Sequence, residues 1–285
     1  MPAKSLSGKK CLITGAASGI GRATALAAGS RGAQLFLTDI DEAGLAQVAR
    51  EATAGGATVR YHGPADVADR EAVASMAREV HEAHGSLDVV MNIAGVSIWG
   101  RVEQLEHDHW KRMIDVNLMG PINVIECFVP PMVAAGNGGH LVNVASAAAL
   151  FGLPWHAAYS AGKFGLRGLS EVLRFDLRRH DIGVTLVCPG GVNTPLVGTV
   201  EIVGVDRSAP AIQKLVRRFE RRAVEPEHVA EAILRGVARN RYLVFTSPDI
   251  RVGHWAQRFF PPAYEAAMRR LNDRLSAVAE RARPD

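Results

Sequence analysis

The chain has 285 residues, 48% of them hydrophobic and 22% charged, with a mean hydropathy of +0.04. That length suits one large α/β domain or two small ones, and the composition excludes a globally disordered chain. A formal net charge of only +4, spread as mixed signs, argues against a nucleic-acid binder, and no uninterrupted apolar run reaches the length of a spanning helix.

The first ten residues lead into a strand-like run rather than a signal-peptide core, so cytoplasmic placement is the expectation. That run, 11–14, is followed at once by Thr14-Gly15-Ala16-Ala17-Ser18-Gly19-Ile20-Gly21 and then by helical spacing over 22–31. Gly15 permits a sharp turn, Gly19 lets backbone N–H groups approach a pyrophosphate, and Gly21 allows close helix–strand packing. The helix N-terminus adds positive potential, so the segment is a candidate dinucleotide cradle.

A second apolar run, 35–38, ends at Asp39, 18 residues beyond Gly21. A carboxylate there accepts hydrogen bonds from an adenosine ribose diol and repels a 2′-phosphate, which predicts NAD over NADP. Asp39 is alternatively the cap of the helix predicted over 42–53, although Asp41 suits that role better. Further strands are expected at 58–61, 89–92, 141–144, 184–187 and 242–245, and further helices at 70–84 and 157–179. Strands alternating with crossover helices imply a single parallel, doubly wound α/β sheet of about seven strands with helices on both faces.

The helix at 157–179 carries Tyr159 and Lys163, which at i and i+4 share one face. A nearby ammonium favours phenolate, so Tyr159 is the candidate acid/base and Lys163 its activator. Ser146 follows the strand at 141–144 and precedes Tyr159 by 13 residues, placing its hydroxyl where it could hold a substrate carbonyl oxygen. No Gly-x-Ser-x-Gly elbow accompanies it, which disfavours a hydrolase.

After Pro189-Gly190-Gly191, residues to about 222 contain no strand-like run and end in the basic segment 214–222. This stretch, 190–223, is read as a substrate lid over a domain spanning 1–246. The basic segment is either a solvated helix face or an attractor of anionic substrates. Residues 247–285 form an appendage that begins as a loop bearing Trp255, Phe259, Phe260 and Tyr264 and becomes helical from about 263. It is expected to pack on the domain or a neighbouring subunit in preference to a membrane. Trp99, Leu150, Leu153, Trp155 and His156 flank the catalytic motif and could line an apolar pocket, with Trp155 a candidate substrate contact. His107 and His109 diverge by about 200° on a helix and cannot share one metal ion; no metal is expected. Cys11, Cys127 and Cys188, without CxxC or Cys/His spacing, read as buried thiols.

Together these motifs resemble the short-chain dehydrogenase/reductase family of Rossmann-fold oxidoreductases over residues 8–245. To the glycine loop, Ser146, Tyr159 and Lys163 the resemblance adds Asp66-Val67, Asn92-Ile93-Ala94-Gly95, Asn117, and Pro189-Gly190 leading to Thr194. Ile93 stands where the family more often repeats Asn. The resemblance implies adenine contacts from Asp66 and Val67, strand support from Asn92, and a nicotinamide carboxamide contact from Thr194. It further implies a Lys163 bond to the nicotinamide ribose, and an Asn117–Ser146–Tyr159–Lys163 tetrad in which Asn117 holds a water. The cofactor contacts it implies extend through Ser18, Ile20, Ala94, Gly95, Pro189 and Gly190. An NAD-dependent enzyme interconverting a secondary alcohol and a ketone on a hydrophobic small molecule, assembled as a homodimer or homotetramer, is the expectation. The contrasting class is a non-catalytic NAD-sensing or scaffold protein that keeps the fold.

Overall fold

A computed structural model describes residues 5–280. Seven strands form one parallel sheet in the order β3-β2-β1-β4-β6-β7-β9. They are β1 (Lys10–Thr14), β2 (Gln34–Asp39), β3 (Thr58–Pro64), β4 (Val89–Asn92), β6 (Gly139–Val144), β7 (Ile182–Cys188) and β9 (Leu243–Phe245). Each matches a run expected from its apolar, β-branched sequence, with ends that shift by at most three residues. The chain order reverses between β1 and β4, and α/β sheets bind ligands outside the carboxyl ends of their strands at such a switch point.

Alternation along the central strands divides the core into two layers. Cys11, Ile13, Leu35, Leu37, Val89 and Met91 face α1 (Gly19–Gly29), α2 (Glu42–Ala54) and α9 (Pro226–Ala238). Leu12, Phe36, Val90 and Leu141 face α3 (Arg70–His84) and α5 (Gly120–Ala135). Phe36 and Phe128 lie wholly inside the second layer, where burial of each side chain contributes about 1.5–3 kcal/mol.

One continuous helix runs His107–Ala135, comprising α4 (His107–Ile114), a π-helical turn (Asp115–Met119) and α5. It is long and apolar enough by length and composition to cross a membrane, yet α5 packs on α3 while α4 packs on α6 (Ala157–Asp176). Helix α4 starts at His107 as expected, and His109 Nδ1 accepts the Glu106 backbone N–H in a capping box.

Three expectations change. The 190–223 stretch holds a strand as well as helices α7 (Pro195–Thr199) and α8 (Pro210–Glu220): β8 (Glu201–Ile202) pairs in parallel with β5 (Ile98–Trp99), tying this stretch to the loop after β4. Two-residue strands paired across a hundred residues carry no local periodicity to reveal them. Residues after 247 begin as a helix, α10 (Pro248–Phe259), capped by Ser247 with Pro248 in its first turn, ahead of α11 (Pro261–Glu280). Cys11 and Cys188 are buried thiols, whereas Cys127 is half-buried. All three are free, and burial pushes the Cys11 and Cys188 thiols up to about 12.

Tyr264 of α11 donates its hydroxyl to the Gly152 carbonyl at 2.8 Å and sets its ring edge-on to Phe151. The appendage therefore reaches the loop before α6. The outer face of α10 leaves Val252, Trp255 and Phe259 exposed, with Phe260 just beyond it.

Candidate active site

The glycine loop leaves β1 and enters α1 at the centre of the sheet edge. Gly15 and Gly19 both have positive φ, +67° and +50°, which bulky residues avoid. A Cβ on Gly21 would stand 1.8 Å from the Gly15 carbonyl oxygen, so the turn closes only around a glycine. A Cβ on Gly19 would meet Thr194 Cγ2 at 3.0 Å, which sets Thr194, the residue before α7, against the loop. Ser18 precedes α1 without a side-chain capping bond, and Ile20 lies in its first turn. The hydroxyl of Thr14 accepts the backbone N–H groups of Ile93 (3.0 Å) and Ala94 (3.1 Å), fastening this loop to the segment after β4.

Asp39 ends β2 beside the same loop. Its Oδ2 accepts the Ala17 N–H at 2.9 Å and its Oδ1 the Asp41 N–H at 3.0 Å. The cap of α2 is Asp41, whose carboxylate accepts Gly44 N–H, so the alternative role considered for Asp39 is filled by its neighbour. Asp66 is exposed and accepts Ala68 N–H, while the buried Val67 offers its carbonyl to Asn123 Nδ2 at 2.8 Å. This cradle, without a Cβ at Gly15, Gly19 and Gly21 and edged by backbone donors and an acidic group, has the shape and donor set that a dinucleotide requires.

Asn92 and Asn143 stand opposite each other on β4 and β6, and Asn92 Nδ2 donates to Asn143 Oδ1 at 2.9 Å. Asn143 Nδ2 donates to Ser170 Oγ of α6 at 2.8 Å, and that hydroxyl donates to the Leu166 carbonyl. The chain of side chains ties α6 to the central strands. Asn143 and Ser170 escaped the sequence reading, since an Asn inside an apolar strand was the only signal for the first and nothing marked the second. Asn92 Oδ1 is buried without a hydrogen-bond partner among the described residues.

Asn117 lies in the π-helical turn and is fully buried. Its amide clamps the backbone of Val96, accepting the N–H at 3.3 Å and donating to the carbonyl at 2.9 Å. A Cβ on Gly95 would lie 2.9 Å from Asn117 Oδ1 and 3.3 Å from Lys163 Nζ, so Gly95 is the point at which these two side chains converge.

Lys163 is buried, its ammonium donating to the Val144 carbonyl at 3.1 Å and lying 5.8 Å from the centre of the Tyr159 ring. Burial lowers its pKa to about 8. Tyr159 is half-buried; burial raises its phenol, and a hydrogen bond with Ser146 opposes that shift. The direction is opposite to the one expected from the Tyr–Lys spacing, with desolvation of the phenol as its first cause. Ser146 is half-buried between buried neighbours, and its Oγ accepts Ala148 N–H at 3.1 Å. Pro189 and Gly190 follow β7, with the Pro189 carbonyl accepting Ala147 N–H, which places them beside the Ser146 turn.

Just before α6, Trp155 adopts φ +68° and its indole N–H is buried without a partner among the described residues. The His156 imidazole stacks on Trp99 at 4.5 Å between centroids and lies 6.2 Å from the Tyr159 ring. Among the described residues no cluster of His, Cys, Asp and Glu could hold a metal ion.

The short chain dehydrogenase family model matches residues 9–202. A "Putative oxidoreductase SadH" of Mycobacterium tuberculosis is 37% identical over 266 residues, covering 92% of this chain and 94% of that protein. A crystal structure of a short chain dehydrogenase/reductase from Burkholderia phymatum in complex with NAD superposes with a TM-score of 0.80 at 30% identity, covering 90% of this chain and 96% of the other. A metagenomic short-chain oxidoreductase in complex with NADP gives a TM-score of 0.68 at 32% identity, over 85% of this chain and 96% of that one. With that family model over residues 9–202 and relatives of this similarity along nearly the whole chain, the chain belongs to the short-chain dehydrogenase/reductase family of oxidoreductases.

Proposed function

We propose that the protein is an NAD-dependent oxidoreductase that interconverts a secondary alcohol and a ketone. The observation that carries this reading is the half-buried phenol of Tyr159, with the Ser146 hydroxyl on it and the Lys163 ammonium beside it. The preference for NAD rests on Asp39, whose carboxylate stands at the glycine loop where a ribose diol would donate to it and a 2′-phosphate would be repelled.

A bound nicotinamide dinucleotide supplies the hydride donor or acceptor. Gly15, Gly19 and Gly21 admit its pyrophosphate to the backbone and the N-terminus of α1, and Asp39 takes the adenosine ribose. Asp66 and Val67 would flank the adenine, Thr194 the carboxamide and Lys163 the nicotinamide ribose. In reduction Tyr159 donates its phenolic proton to the developing alkoxide, and in oxidation it removes the hydroxyl proton of the alcohol. Ser146 Oγ orients the reacting oxygen, and the ammonium of Lys163 stabilises negative charge forming on Tyr159.

Helix α6 exposes Phe164, Val172 and Phe175, and Met119 is exposed in the turn before α5. Such apolar surface on the helices beside Asn117 and Tyr159 supports a homodimer or homotetramer.

The test is turnover of wild type and Tyr159→Phe with NAD⁺ and a panel of secondary alcohols, alongside NADH binding to both proteins. Loss of about a hundred- to ten-thousandfold in turnover with unchanged NADH affinity is expected, the range that general acid/base catalysis supplies. Retained turnover in the variant sinks the assignment.

A further inference from the structure

The loop before α6 holds His156 in a single, well-determined state. His156 Nδ1 lies 2.7 Å from the Pro154 carbonyl oxygen. A carbonyl only accepts, so Nδ1 carries the proton and the neutral ring presents Nε2 as a bare acceptor. Burial pushes the imidazole pKa down against the opposing Pro154 bond, which keeps the ring neutral at pH 7. Nε2 makes no hydrogen bond to any described residue and is not sealed from solvent.

The surroundings fix that acceptor in place. Bonding of the ring back to the carbonyl two residues earlier requires a sharp reversal at Trp155, whose φ of +68° is rare for so bulky a side chain. The reversal is held by the Gly100 N–H on the Trp155 carbonyl at 2.9 Å and by the Arg101 guanidinium 5.9 Å from the centre of the indole ring. Trp99 closes one face of the imidazole, and its own indole N–H is tied to Ser97 Oγ at 2.7 Å. Backbone strain of this kind persists where surrounding contacts over-determine it, and it concentrates at functional sites. An unpaired acceptor on a ring whose centre lies 6.2 Å from that of the Tyr159 ring is available to a polar group of a substrate held at Tyr159.

We propose that His156 Nε2 accepts a hydrogen bond from a second hydroxyl of the substrate, which makes the substrate class diols and hydroxyketones rather than simple alcohols and ketones. The His156 and Tyr159 rings are neighbours, 6.2 Å apart between centres, which sets the second hydroxyl near the reacting carbon, as in vicinal diols and their hydroxyketones. Trp99 and Trp155 suit a flat or apolar remainder. His156 acts as a specificity-determining residue and takes no part in proton or hydride transfer.

The inference rests on the alcohol–ketone reading and is tested with matched pairs: 1-phenyl-1,2-ethanediol against 1-phenylethanol, and 2,3-butanediol against 2-butanol. Wild type is expected to favour the diol by about tenfold or more in kcat/KM, since a polar site left unpaired discriminates against the deoxy analogue. His156→Phe, which keeps a flat ring against Trp99 but has no acceptor, brings that ratio to about one, while His156→Gln restores part of it. NADH binding by each variant reports that the fold and cradle are intact. A wild-type ratio near one, or a ratio unchanged in His156→Phe, overturns the role of His156 and leaves the alcohol–ketone reading standing. Failure of wild type to turn over either member of any pair, with NADH bound normally, overturns that reading and this one with it.

Discussion

Replacing Asp39 with Asn tests the proposed preference for NAD at the carboxylate on which it rests. The carboxylate accepts two backbone N–H groups, Ala17 at 2.9 Å and Asp41 at 3.0 Å, leaving its remaining lone pairs for a ligand. An amide has one acceptor oxygen, so one of those N–H groups would face an NH₂ donor, and the charge available to a ribose diol is lost. Hydrogen bonds to a charged group contribute about 1.5–3 kcal/mol, which sets a loss of roughly 10- to 150-fold in NADH affinity. The same change removes repulsion of a 2′-phosphate. Two opposite charges' worth of separation need not be invoked: at about 5 Å and an effective dielectric between 20 and 80, like unit charges repel by roughly 1–3 kcal/mol. NADPH affinity should therefore hold or rise while NADH affinity falls, and their ratio should shift by about two orders of magnitude. Side-by-side fluorescence titration of NADH and NADPH into wild type and Asp39→Asn measures it. A wild type that binds NADPH more tightly, or a ratio unmoved by the substitution, refutes the role given to Asp39.

Lys163→Met should abolish turnover yet stabilise the folded protein at pH 7 by about 1–3 kcal/mol, because the lowered lysine pKa marks a buried charge that opposes folding. The unfolded lysine titrates near 10.4 and the folded one near 8, so the penalty is whole below pH 8 and fades as pH rises from there toward 10.4. The stability gap between variant and wild type, read by urea unfolding at pH 7 and pH 10, should narrow accordingly; a constant gap contradicts the burial argument. Gly21→Ala places a methyl group against the Gly15 carbonyl and should cost more than about 3 kcal/mol or eliminate NADH binding, as chemical denaturation and titration would show. An unperturbed variant would mean that the loop can open without loss.

Much of the sheet was legible because a strand covered by helices on both sides has to be apolar throughout. Val89 to Asn92 and Leu141 to Val144 announce themselves in that way. The cradle was legible for a related reason, since a Cβ at Gly21 has nowhere to go. Long-range agreements were not. The pairing of Ile98-Trp99 with Glu201-Ile202 depends on where two distant loops end up, and the Asn92–Asn143–Ser170 chain links three elements that share no local pattern. Helix α10 was misread for another cause: the aromatic residues suggested a loop, while Ser247-Pro248 held an ordinary helix start. The rise in the Tyr159 phenol was hidden too, because spacing reports that a cation is near but says nothing about how much water has been excluded.

The π-helical turn at Asp115–Met119 bears on how this chain can vary in length. An α-helix advances about 100° per residue, and a π turn accommodates one residue more than an α turn does. Deleting a single residue there would let the helix relax to regular α winding with the segments on either side kept in register, so Val124, Phe128 and Met132 would stay in the core. What the extra residue provides is local: it is the turn from which Asn117 clamps the backbone of Val96. A variant lacking one of these five residues should therefore fold, yet lose the hold of this helix on the segment after β4.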